Sequence, residues 1–127
     1  MVQSKPVDTS SPSSDIGRVV KDDHERILAL YRLYRDSPPD SRRGIVDELL
    51  HQLASHLEKG TRLRQGMRES APEGQKFLGD AEREHKKVNA MILQLQQSET
   101  DDDQALDEFF ENMMQSVQVL FTLEERL

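Results

Sequence analysis

Residues 45–67, IVDELLHQLASHLEKGTRLRQGM, decide the fold. Ile45, Leu49, Leu53, His56, Gly60, Leu63 and Met67 recur there at intervals of three or four. That is the period of a helix with one buried face. Two positions in this seam are not apolar. His56 stands where a hydrophobic side chain is expected, and Gly60 follows it one turn later on the same face. A buried imidazole costs free energy unless it finds a partner. A glycine inside a helix costs about 1 kcal/mol relative to alanine. The spacing therefore predicts a core helix, and it leaves open what His56 faces.

The same spacing recurs three more times. Ile16, Val20, His24, Ile27, Tyr31 and Tyr34 form one seam. Leu78, Ala81, His85, Val88, Ile92 and Leu95 form another. Leu106, Phe110, Met113, Val117, Leu120, Glu124 and Leu127 form the last. Three breaks separate the four segments. Two prolines in Asp36–Asp40 forbid helix continuation. In Glu69–Gly74, Ser70 is a candidate cap and Pro72 suits a first helical turn. In Ser98–Asp103 the acids suit the start of a following helix. Period-two alternation is nearly absent. The expectation is an all-α, up-down-up-down four-helix bundle with helices of about 20–28 residues. It occupies residues 14–127, after a Ser/Thr/Pro-rich leader at 1–13 that reads as disordered.

Composition narrows the function. The chain has 127 residues, enough for one domain with one core. Its net charge of −7 argues against nucleic acid as a partner, because phosphates demand a basic surface. It has no cysteine, which removes disulfides, thiolate ligands and cysteine nucleophiles together. That absence fits a reducing compartment, and a cytoplasmic location is expected. No apolar run is long enough for a membrane span. Neither a serine–histidine nucleophile pattern nor a Gly-rich phosphate loop is present, so an enzyme is not expected.

What interrupts the seams carries the functional reading. Three of the four histidines, His24, His56 and His85, lie in three different seams, and Glu124 lies in the fourth. The remaining one, His51, falls about 140° around its helix from His56 and is expected in solvent. Buried polar groups in a bundle core satisfy one another, water or a metal ion. Counting along the helices puts the three histidines within about two turns of one another and displaces Glu124 by one to three turns. Glu58, Glu84 and Glu125 point away from the seams by the same count.

In order these residues read KDDHERI, His-x-x-x-Gly, EREHKKV, and Leu-x-x-x-Glu-Glu. The pattern resembles the hemerythrin-like, HHE cation-binding domain over residues 14–127. AEREHKKVNAMILQLQQ, residues 81–97, looks particularly like fungal members. The resemblance implies a four-helix bundle with a non-haem di-iron centre held by histidines and bridging carboxylates. It further implies dioxygen binding, or sensing of oxygen or iron. Carried over, His24, His56, His85 and Glu124 match ligand positions. Gly60 and Leu120 stand where the family has a glutamate and a histidine. Arg64, Gln65 and Gly66 replace an apolar-aromatic-proline run. The four remaining ligands suit one ion of iron or zinc better than two irons, and water or an anion is expected in the Gly60 gap. A metal-free bundle, structural or protein-binding, with Glu124 hydrogen-bonded to the histidines, is the alternative.

Overall fold

The computed structural model describes residues 12–70, 75–98 and 102–126. Four helices make up nearly all of it: α1 (Pro12–Asp36), α2 (Pro39–Ser70), α3 (Gln75–Gln96) and α4 (Asp103–Glu125). Among the described residues there is no strand. α1 packs against α2 and α3 against α4, and α2–α3 and α1–α4 contacts close the ring. The architecture is the expected up-down-up-down bundle.

The helix boundaries follow local chemistry. α1 stops at Asp36, before Pro38 and Pro39. Its end is tied by Ser37 Oγ donating to the Leu33 carbonyl at 2.7 Å. Pro39 opens α2, where its missing N–H is not needed. Asp102 caps α4, its side chain accepting from the amides of Gln104 at 3.0 Å and Ala105 at 3.2 Å.

Three expectations need adjustment. α2 runs for 32 residues, past the expected upper length, and neither Gly60 nor Gly66 breaks it. Packing of Leu57 and Leu63 in the core outweighs the local glycine cost. Ser70 is the last residue of α2 rather than a cap for α3. Pro72 lies outside the described residues, as do residues 1–11 of the expected leader, and α1 already includes Pro12 and Ser13.

The seams form the core. Ile27, Leu49, Leu53, Val88, Met113, Val117 and Leu120 are all fully buried. Leu50, Leu57, Met114 and Phe121, one position beside the seams, are buried too. A packed helix hides a stripe wider than a two-position seam, so these neighbours join it. Among the described residues no helix is long and apolar enough to cross a membrane.

One end of the core is closed by tyrosines. Tyr31 Oη donates to Glu111, and Tyr34 Oη donates to Asp107 at 2.6 Å. Arg42 binds the other Asp107 oxygen at 3.2 Å and lies over the Tyr34 ring. Burial and then the Glu111 carboxylate push the Tyr31 phenol up to about 12, and burial with Asp107 raises Tyr34 likewise. Tyr34→Phe should cost about 1–2 kcal/mol in urea unfolding, since Arg42 still satisfies Asp107. A neutral result would show that Asp107 simply turns to water.

Candidate metal centre

Away from the tyrosines the core carries a buried polar group. His24 on α1 and His56 on α2 are buried, and Glu124 on α4 is buried with them. Both imidazoles aim Nε2 at one carboxylate oxygen, Glu124 Oε1, each at 2.7 Å. The rings meet edge to face with centroids 4.8 Å apart. Phe121 fixes them from one side, stacked on His24 at 3.9 Å and edge-on to His56 at 5.2 Å.

Each ring is also held from behind. His24 Nδ1 faces Glu125 Oε2 at 2.7 Å, and His56 Nδ1 faces Asp23 Oδ2 at 3.0 Å. Asp23 is buried, and Lys59 and Arg26 donate to it in turn. A ring nitrogen that faces an ionised carboxylate must donate to it. Without an ion, His56, whose pKa these carboxylates raise, donates from both nitrogens. With an ion among the Nε2 atoms, Nδ1–H still donates to its carboxylate, which fixes the tautomer and strengthens the ligand.

Burial alone would raise the Glu124 pKa, but the bonds from His24 and His56 outweigh it and bring it from 4.5 to about 2. Burial would lower His56, and the Glu124 and Asp23 carboxylates overcome this and raise it. Asp23, likewise opposed by burial, is lowered by His56 and Lys59. The group is thus an interlocked set of charges.

His24, His56 and Glu124 could hold a metal ion. One ligand atom from each lies within 4.8 Å of the others. An ion about 2.1 Å from each atom needs ligand–ligand separations of about 3.0–3.4 Å. The 2.7 Å nitrogen–oxygen contacts must therefore open by about 0.3–0.7 Å, and the two Nε2 atoms must come equally close to one another.

His85, the fourth sequence candidate, is half-buried on α3 and meets a different partner. Its Nδ1 accepts from Arg64 Nη2 at 2.5 Å, while Arg64 Nη1 donates to Glu124 Oε2 at 3.3 Å. The guanidinium thus bridges His85 and Glu124. Burial and then the Arg64 charge lower the His85 pKa. His51 is exposed, as its angular position implies.

Comparison with known proteins finds no match, whether to a family model, to a curated protein or to a solved structure.

Several sequence expectations are corrected by the geometry. The Gly60 position is no open gap for water or an anion. A Cβ there would lie 2.9 Å from Glu124 Oε2 and 3.2 Å from Arg64 Nη1. The counted offset of Glu124 is absent, since its carboxylate meets both rings at 2.7 Å. The register of α4 against α1 and α2 is set by packing and loop geometry rather than by a residue count along each helix. Glu125, expected to point away, reaches His24 from a side chain that is 45% exposed. A long carboxylate beside a seam can bend around its flank, which an angular count of Cα positions omits.

Asp23 and Arg64 were the residues the periodicity did not supply. Asp23 adjoins His24 in sequence but backs His56 on the neighbouring helix, so its place beside His24 did not announce its partner. Arg64 lies one turn beyond Gly60, so a missing side chain followed at four residues by a long cation was a usable signal.

The two interior glycines of α2 give a matched test. Nothing lies within 4 Å of an added Cβ at Gly66. Gly66→Ala should stabilise the protein by about 1 kcal/mol. Gly60→Ala should forfeit that gain, because its Cβ meets a carboxylate that three donors hold in place. Equal stabilisation in thermal melts would mean that Glu124 moves freely.

Proposed function

We propose that this chain is a hemerythrin-like bundle that binds one first-row metal ion at His24, His56 and Glu124. It serves as a binding or sensing module rather than an enzyme. The observation that carries the reading is the arrangement of the two imidazoles. Their Nε2 atoms converge on one point, and each Nδ1 is backed by its own carboxylate, Glu125 or Asp23. Metal-ligating histidines commonly donate their other ring N–H to a carboxylate in this way, which orients the ring.

Two histidines and one carboxylate, with further positions left open, are the set used by non-haem iron(II). Iron is therefore the ion we assign, with zinc as its competitor, and dioxygen is the ligand the open positions would take. Support for a single ion comes from Arg64, whose positive charge sits against Glu124 Oε2. That oxygen would otherwise be available to a second cation. In this reading Arg64 also keeps His85 off the ion.

A metal-free polar network is the second reading, and one observation favours it. Glu124 already accepts from His24, His56 and Arg64, so the described group is satisfied without an ion. Metal content decides between them. Protein expressed with iron and zinc both available, and purified without chelator, should carry close to one ion per chain by elemental mass spectrometry. His24→Ala should remove it. A metal-free but folded protein would overturn the metal reading and leave the network. Two ions would overturn the role given to Arg64.

A further inference from the structure

Arg64 has a second aspect. It is 3% exposed, yet it lines a cleft of about 560 Å3 between α2 and α3. Thr61, Gln65, His85, Lys86 and Asn89 line the same cleft. The guanidinium is held in place by its bonds to Glu124 Oε2 and His85 Nδ1. A guanidinium can only donate, so His85 Nδ1 accepts, and the hydrogen of the neutral ring is on Nε2. The histidine beside the guanidinium is therefore itself a donor. Lys86 follows in sequence, and Asn89 is one turn on from both, so α3 presents three donors along the cleft. Thr61 and Arg64 are one turn apart on α2 and face them.

The charges around the cleft are mixed. Arg64 shares Glu124 with two imidazoles, and Glu125 and Asp23 face those imidazoles in turn, so the case for an anion rests on the donors rather than on a surplus of positive charge. The cleft adds the Lys86 ammonium. Glu82 is the acid on the lining, and it disfavours anions of high charge. A buried, oriented guanidinium with N–H and ammonium donors around it is matched to a planar or tetrahedral oxyanion. The volume is in the range of small-molecule sites.

We propose that the α2–α3 cleft binds a small oxyanion, a carboxylate or a phosphate, through Arg64, His85 and Lys86. The site does not depend on the metal reading, because none of its donors is taken up by the His24–His56–Glu124 group except through one Arg64 bond. The test uses the full chain with chelator present. Sodium acetate and inorganic phosphate are titrated separately at constant ionic strength, with chloride as the reference. Side-chain N–H signals of Arg64 and His85 are followed by NMR.

The expected result is a saturable shift of both signals with at least one oxyanion and none with chloride. The tighter of the two identifies the chemistry of the natural ligand. Lys86 is exposed, so Lys86→Gln should fold normally and weaken binding about threefold. Arg64→Gln should abolish it. If that variant does not fold, the Lys86→Gln comparison still decides. No saturable shift, or the same affinity in Lys86→Gln as in the parent chain, would overturn the proposal. Either result leaves the metal count per chain unaffected, so the two readings fail separately.

Discussion

Glu124→Ala should cost about 3–5 kcal/mol of stability and the metal ion together, the largest effect expected of any single substitution here. Glu124 is the one carboxylate that three buried donors share: His24 Nε2, His56 Nε2 and Arg64 Nη1. Truncation leaves the Arg64 guanidinium and the two ring Nε2 atoms facing one another around a cavity. Each ring can keep Nδ1–H on Asp23 or Glu125 with Nε2 bare, but that nitrogen is then buried without a partner. Arg64 cannot discard its charge at all. For a bundle of this size the loss corresponds to roughly 10–20 °C in Tm.

Glu125→Ala is the control. Its carboxylate bonds His24, but the side chain is 45% exposed and water can replace it. The cost there should be about 1 kcal/mol or less. The ion should still bind, though more weakly, because His24 loses the partner that orients it. Equal effects of the two variants, or a Glu124→Ala protein within about 1 kcal/mol of the parent, would mean that water already penetrates the group.

Why the helices were readable and the site only partly so is visible in particular residues. Val20, Ile27, Leu53, Val88 and Val117 sit where a three–four spacing puts them, because burial of a helix face depends on rotation about its axis, and rotation follows sequence position. His24, His56 and Glu124 came inward for the same reason. Arg64 did not follow that rule. It lies beside the seam and reaches the core with a long side chain through space that Gly60 leaves free. Spacing locates a Cα and says little about where a six-atom side chain ends. Asp23 is a similar case: a residue beside the seam turns inward because His56 and Lys59 offer it partners. Such choices depend on what the other three helices present at that height, which no single helix period contains.

The pH dependence of stability should reverse when metal is added. His56 has a folded pKa raised above 6.5, so its contribution is fully present below about pH 6.5 and is lost as pH rises through the folded value. Glu124, lowered to about 2, contributes above 4.5 and loses its contribution as pH falls through about 2. Asp23, also lowered, acts in the same sense as Glu124. His85 has a lowered pKa, so stability falls as pH drops from 6.5 through its folded value. These contributions place the optimum of the metal-free protein close to pH 6.5, with a decline on the alkaline side that belongs to His56. An ion bound at Nε2 displaces the proton whose loss causes that decline. Binding therefore strengthens as pH rises toward the folded pKa of His56, and it adds stability in the range where the free protein loses it. Thermal melts between pH 5 and pH 9 should show Tm falling above about 7 in chelator, and level or rising with excess iron(II) or zinc under anaerobic conditions. His56→Ala should remove both the alkaline decline and the metal response. Parallel profiles with and without metal would place the ion elsewhere, and a metal response that survives in His56→Ala would remove His56 from the ligand set.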